Sequence, residues 1–460
     1  MTAAEGAPRG PRRRDAAARP SPARAVATRV LERVETDAAF ADLALDAELA
    51  RRTPAPRDIA LATELVYGTL RWQRYPDWIL APHSRRRLTA LDARVRVLLR
   101  LTAYQLVFLE RVPAFAAVND AVSLARGAPG VAEYVNAVLR AFARRGAAER
   151  EPALPRDPVD ALATRCSFPT WLAARWIARY GAAEAEALMR ALDERPPLTL
   201  RANTRRLDRA ALAERLRVED QVATRPTPLA PEGLVAESGG APGRWRAFAE
   251  GACVAQDEAS MLVARLLEPA PGETVADVCA APGTKATHLA QLMDDRGRVL
   301  ALDPQPGRLE RVAEAAARLG LTIVETAEGT VEALAPRWTA ACDRVLVDAP
   351  CTNLGVLRRN PEVKWRRQPA DIATAAARQR TILTAAGTLV RPGGRLVYAT
   401  CSLEPEENDA VVRDFLAARP DFTVDTPADA AVAPDADGFV RCLPHVLGTD
   451  GFTSIRLRRA

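Results

Sequence analysis

The stretch Val275-Ala-Asp-Val-Cys-Ala-Ala-Pro-Gly-Thr-Lys-Ala-Thr-His-Leu289 reads as strand, loop and helix in turn. Val275 to Cys279 is a short, largely apolar run of the kind that fills the interior of a parallel sheet. Cys279, Ala280, Ala281, Pro282, Gly283, Thr284 and Lys285 follow as a loop of mostly small residues that lets the backbone approach a ligand, and a helix starts at Ala286. Ligands of doubly wound sheets bind outside the carboxyl ends of the strands, so this is a binding loop. Its spacing is neither Gly-x-x-x-x-Gly-Lys-Ser/Thr nor Gly-x-Gly-x-x-Gly, which argues against a P-loop and a dinucleotide fingerprint.

Downstream, the same grammar repeats. Val299–Asp303, Leu321–Glu325, Arg344–Asp348 and Arg395–Cys401 read as strands separated by amphipathic helices. From Ala252 on, this alternation predicts an open, mostly parallel α/β sheet covered on both faces. Asp303 ends the second strand about twenty residues after the loop, where an acid accepts hydrogen bonds from ribose hydroxyls. Glu328, just past the third strand, is a further candidate contact, and together these residues call for a nucleoside-type cofactor.

Upstream, the pattern differs. Residues 1–22 are an aperiodic Arg-, Pro- and Ala-rich tail with a run at Arg12–Arg14, expected to be disordered. Residues 23–145 carry apolar side chains at helical spacing, as in Val26, Val30, Leu31, Val34 and in Val131, Val135, Val138, Leu139, and predict an all-α bundle. Residues 146–159 read as a linker and 160–251 as a small α+β module.

A chain of 460 residues, 48% hydrophobic and 27% charged, is a multidomain globular protein. No apolar run is long enough to span a bilayer and none follows the N-terminal arginines, so the expected location is the cytoplasm. The net charge of +6 is compatible with a polyanionic partner. Seven scattered cysteines lack the paired spacing of a zinc site, so reduced thiols and no metal are expected. Of 64 basic residues only Lys285 and Lys364 are lysine, which marks two places where a compact ammonium and a guanidinium are not interchangeable.

Cys351, in Asp348-Ala-Pro-Cys351, and Cys401, in Ala399-Thr-Cys-Ser402, each follow or end a strand and precede polar residues. A buried structural cysteine is the ordinary case, and Cys166, Cys253 and Cys342 fit it. Cys351 and Cys401 fit it badly. A thiolate adds readily to carbon 6 of cytosine, which makes the otherwise unreactive carbon 5 nucleophilic, and a second thiol suits the reversal of that adduct. Asp348 is placed to meet ring nitrogen 3. The segment Glu404-Pro-Glu-Glu-Asn408 is expected to begin a helix.

With these residues in view, residues 252–460 resemble the Sun-type RNA 5-methylcytosine methyltransferases, through Asp277-Val-Cys-Ala-Ala-Pro-Gly283, Asp348-Ala-Pro-Cys351, Pro361-Glu-Val-Lys-Trp365 and Tyr398-Ala-Thr-Cys-Ser402. The helical region is similar to NusB, through Glu64-Leu-Val-Tyr-Gly68, Ala103-Tyr-Gln-Leu106 and Tyr134-Val-Asn-Ala-Val-Leu139. The combination resembles the bacterial members that act on 16S ribosomal RNA. The resemblance implies a Rossmann-like methyltransferase domain binding S-adenosylmethionine through Cys279–Lys285, Asp303, Glu328 and Asp348. It assigns Cys401 as the nucleophile and Cys351 to product release, with Lys285 and Lys364 lining the pocket. It further implies action on 16S RNA, free or in a partly assembled small subunit. A monomer is the default expectation, and the run Arg85, Arg86 and Arg87 is expected to touch the RNA backbone. Thr284 stands where the family usually has glycine and Glu328 where aspartate is common. A β-branched residue in a tight loop is expected to strain it.

Overall fold

The computed structural model describes residues 20–52, 54–127, 129–144, 151–238 and 240–460. The Arg12–Arg14 run and the first part of the expected linker lie outside the described residues. The chain divides into two compact units between Ala173 and Ala174.

In the first unit, the apolar spacing read from the sequence becomes helices Pro22–Thr36, Ala41–Arg52, Pro56–Arg71, Ala93–Phe108, Ala114–Leu124 and Val131–Ala143. Val30, Leu65, Val66, Leu98 and Leu139 are fully buried, each contributing about 1.5–3 kcal/mol. Two of the quoted motifs meet there. The Tyr104 hydroxyl donates to Glu64 at 2.5 Å, and a Cβ on Gly68 would fall 2.1 Å from the Tyr104 ring, so the glycine makes room for the tyrosine. Arg85, Arg86 and Arg87 are all exposed.

In the second unit, strands β1 (Leu198–Ala202), β2 (Thr224–Pro226), β3 (Gly233–Ala236) and β4 (Cys253–Ala255) form a small antiparallel sheet in the order β2-β3-β1-β4. Its pairings are antiparallel throughout, and the helix Arg209–Glu219 packs on it through Leu212 and Leu216. This is the α+β module.

The larger sheet takes β5 (Thr274–Asp277), β6 (Arg298–Asp303), β7 (Val324–Glu328), β8 (Cys342–Asp348) and β9 (Val390–Thr400) as a parallel set. The strands β10 (Phe422–Val424), β11 (Val440–Cys442) and β12 (Phe452–Arg459) complete it. Its order is β10-β12-β9-β8-β5-β6-β7, with β12 antiparallel to β9. Separate apolar clusters cover the two faces, so the expected architecture holds: an α-helical bundle, a small α+β module and a Rossmann-like α/β domain.

Two local expectations are corrected. The third strand begins three residues later than predicted, at Val324 rather than Leu321. Gly320 closes the preceding helix at φ 70°, Leu321 N–H turns back to Ala316 O, and Asp295 holds the Thr322 N–H, so the strand starts only after these groups are bound. Glu328 therefore ends the strand instead of following it. The helix expected from Glu404 starts at Asp409. Glu404, Glu407 and Asn408 are fully buried, and Asn408 Nδ2 donates to the Ser402 and Glu404 carbonyls, so polar side chains order this segment as a loop.

Among the described residues no helix is long and apolar enough to cross a membrane.

Candidate active site

The binding loop is pinned from both neighbouring strands: Val278 N–H donates to Leu346 O at 3.0 Å and Ala280 N–H to Leu302 O at 2.9 Å. Gly283 takes the left-handed conformation, φ 103°, and a Cβ there would stand 3.0 Å from the Val312 Cα. Thr284 is the first residue of the helix Thr284–Leu292, so the strain expected of it does not arise; Gly283 alone takes the left-handed turn. Cys279 opens this loop, partly buried, and desolvation followed by the Asp277 charge raises its thiol far above the ordinary range.

Arg201, on β1, reaches the same loop. Its guanidinium donates to Thr284 O at 2.7 Å and to Thr287 Oγ1 at 3.1 Å, and pairs with Gln256. Thr287 in turn donates to Gly283 O at 2.6 Å. Full burial lowers the Arg201 pKa to about 9. One arginine among 64 basic residues carries no sequence signal, and this contact was not legible beforehand.

Asp303 and Glu328 are register partners at the carboxyl ends of β6 and β7. Asp303 is buried; its Oδ1 accepts from Gln305 N–H at 3.0 Å and its Oδ2 faces Arg308 at 3.3 Å. Glu328 is exposed. Asp277 ends β5, fully buried, with its carboxylate facing the Cys279 backbone N–H. Burial and then the Asp348 charge push it up to about 7. A close-approach loop beside two in-register acids fits a nucleoside cofactor, with ribose hydroxyls as donors to the acids.

The two thiols converge. Asp348 ends β8 opposite Ala399 of β9, and Ala349 N–H donates to Ala399 O at 2.9 Å, which brings the following loops together. Gly355 N–H donates to Cys401 O at 2.9 Å. The Sγ atoms of Cys351 and Cys401 are 3.2 Å apart, and Asn353 Oδ1 accepts from them at 3.4 and 3.2 Å respectively. The hydrogen bond to Cys401, then burial, raise the Cys351 thiol well above its ordinary value. Cys166, Cys253 and Cys342 are buried as expected of packing cysteines.

Lys285 Nζ lies 2.6 Å from Asp348 Oδ2 and 5.1 Å from the Phe452 ring centre. Burial would depress this lysine, but the neighbouring carboxylates outweigh it and its pKa is raised. Lys364 has a different setting from the pocket lining expected of it. Its ammonium pairs with Asp193 Oδ1 at 2.7 Å, at the end of the helix Ala182–Asp193, and its side chain is 1% exposed. The structure thus makes Lys364 a buried tether between two segments of the second unit.

The same architecture recurs in known proteins. Residues 264–458 match the model of the 16S rRNA methyltransferase RsmB/F, residues 21–144 the NusB family, and residues 168–241 the ferredoxin-like domain of RsmF/B-like methyltransferases. The chain is 38% identical over 446 residues to the probable ribosomal RNA small subunit methyltransferase B of Bacillus subtilis, covering 95% of this chain and 98% of that protein. It is similar to the crystal structure of PH0851, with TM-score 0.82 at 28% identity over 95% of this chain and 99% of that one. It is also similar to NSun6 from Pyrococcus horikoshii with SFG, with TM-score 0.58 at 25% identity over 64% of this chain and 98% of that one. On this near full-length likeness, the chain belongs to the RsmB/F family of S-adenosylmethionine-dependent ribosomal RNA methyltransferases.

Proposed function

We propose that this enzyme methylates carbon 5 of a cytosine in 16S ribosomal RNA through a covalent adduct between Cys401 and carbon 6. The observation that carries the reading is the pair of thiols 3.2 Å apart, beyond the carboxyl ends of adjacent parallel strands and next to Asp348. Residues Cys279–Lys285, Asp303, Glu328 and Asp348 hold the cofactor. When bound, S-adenosylmethionine supplies an electrophilic methyl group.

The target base is flipped toward the thiols, and the Cys401 thiolate adds to carbon 6 while the Asp348–Lys285 pair gives a proton to nitrogen 3, which neutralises the negative charge that the addition puts on the ring. Carbon 5 gains the electron pair displaced by this addition and would accept the methyl group as its bond to the cofactor's sulfonium sulfur breaks, leaving a neutral thioether. The Cys351 thiolate then takes the proton from carbon 5, the carbon–sulfur bond breaks to regenerate the Cys401 thiolate, and nitrogen 3 returns its proton to the Asp348–Lys285 pair.

The raised pKa of Cys351 supports assigning it to the later step. Its largest cause is the hydrogen bond to Cys401. Once Cys401 is a thioether that bond is weakened, and Cys351 ionises more easily when the carbon-5 proton must be removed. The exposed Arg85–Arg87 run suits backbone phosphates, which strengthen binding without choosing the base. The substrate is naked 16S RNA or a partly assembled small subunit, and the enzyme acts as a cytoplasmic monomer.

The test is bisulfite sequencing of ribosomal RNA from a strain lacking the gene, beside strains complemented with wild type and with Cys401→Ala. One cytosine loses protection in the deletion strain, regains it with wild type and does not with the variant. Purified Cys351→Ala accumulates an enzyme–RNA adduct on a denaturing gel. An unchanged methylation map would instead favour a ribosome-assembly role or another RNA, and a requirement for Cys351 with Cys401 dispensable would reverse the thiol roles.

A further inference from the structure

The two thiol-bearing loops share one buried carboxylate, Glu407, fully excluded from solvent. Thr352, the residue after Cys351, donates its N–H to Glu407 Oε2 at 2.9 Å and its hydroxyl to Oε1. Ser402, the residue after Cys401, donates its hydroxyl to the same Oε1 at 2.5 Å. Gln379 Nε2 bridges Glu407 Oε2 and Pro350 O, each at 3.0 Å. The Tyr398 hydroxyl, from the strand that leads to Cys401, donates to the Glu407 carbonyl at 2.6 Å.

A buried carboxylate is costly unless its lone pairs are met, and here four donors from three chain segments meet them. Two of those segments are the immediate neighbours of the reacting sulfurs. The ties therefore act on the separation of Cys351 and Cys401. No side-chain contact from Glu407 to either sulfur is needed.

We propose that Glu407 is a positioning residue, an acceptor-only clamp that sets the distance between the Cys351 and Cys401 thiols. The proposal rests on the covalent reading above for its effect on turnover, and on geometry alone for its effect on the thiols. Glutamine has nearly the same shape but replaces one acceptor oxygen with a donor, so it turns an N–H₂ group toward hydroxyls that now donate. A displacement of about 1 Å between reacting groups lowers rate by about 10²-fold.

Two measurements on full-length Glu407→Gln test the clamp. In methyl transfer to 16S RNA, kcat falls by about 10²-fold while KM for RNA and for cofactor stays within about twofold. In the absence of RNA and cofactor, phenylarsine oxide reads thiol spacing directly: both thiols condense with the As=O group, giving two As–S bonds and one water. Wild type chelates it, Cys351→Ala does not form the ring, and Glu407→Gln binds it about tenfold or more weakly. A folded Glu407→Gln with wild-type kcat and wild-type arsenical affinity overturns the proposal, as does a loss confined to melting temperature. Should Glu407→Gln fail to fold, Ser402→Ala cuts the tie on the Cys401 side, and unchanged chelation there overturns it equally. Weakened chelation in an enzyme whose wild type leaves cytosine unmodified would uphold the clamp and remove the methylation reading.

Discussion

Gly451 donates its backbone N–H to the Gly355 carbonyl at 2.8 Å, and neither residue has room for a side chain. A Cβ on Gly355 would lie 2.4 Å from Gly451 O and 2.8 Å from Cys401 O. Both are backbone atoms and cannot swing aside. Gly355→Ala is expected to cost about 1–3 kcal/mol in stability and to lower activity beyond that, because the strain falls on the Cys401 carbonyl. Thermal melting and turnover of the variant check both parts.

Thiol reactivity gives a second expectation. The hydrogen bond to Cys401 is the largest cause holding the Cys351 thiol protonated, followed by burial. Removing the first cause lowers the Cys351 pKa, so at fixed mildly alkaline pH Cys401→Ala accelerates alkylation of Cys351. Peptide mass spectrometry after timed iodoacetamide treatment reads this, and an unchanged or slower rate contradicts it.

Asp277 makes stability depend on pH in an unusual direction. Its folded pKa, about 7, lies above the unfolded value near 3.8, so between these the folded state holds the extra proton. Its contribution to stability is thus present in full below about pH 4 and is lost as pH rises through about 7, by at most about 1.4 kcal/mol per unit. Subtracting the melting curve of Asp277→Asn from that of wild type across this range isolates the slope. A flat difference contradicts the assignment.

Arg201→Lys separates the small module's role from simple packing. One ammonium cannot reproduce the forked contacts to Thr284 O and Thr287 Oγ1. Losing one such charged hydrogen bond is worth about 1.5 kcal/mol, or about tenfold in cofactor affinity. Calorimetry with S-adenosylmethionine measures it, and unaltered affinity in a folded variant contradicts a role in shaping the loop.

Much of this was legible in the sequence because it is carried by local pattern. Helical spacing around Val30 and Leu139 exposed the bundle, and strand–loop–helix grammar around Val275–Leu289 exposed the parallel sheet. The polar residues after Cys351 and Cys401 separated these thiols from the packing cysteines. What escaped depends on long-range contact. Glu407 sits in a run of acids that reads as a helix start, and only the fold brings it to Thr352 and Ser402. Lys364 was singled out by its rarity, yet rarity does not reveal a partner as distant as Asp193, 171 residues earlier. The left-handed turn at Gly283 likewise decided what Thr284 costs, and a single sequence does not say which of two adjacent residues takes the turn.

The antiparallel placement of β12 beside β9 also sets an order of assembly. Thr453 bonds back to Ser402 from 51 residues further along the chain. At about 5–20 residues per second, a nascent chain carries both thiols for several seconds before that partner emerges. During this interval β9, which leads to Cys401, has an unpaired edge, open to mispairing with other chains. Synthesis therefore delivers Cys351 and Cys401 before it delivers the strand that pairs with β9, and that sheet edge stands open while the chain is still being made.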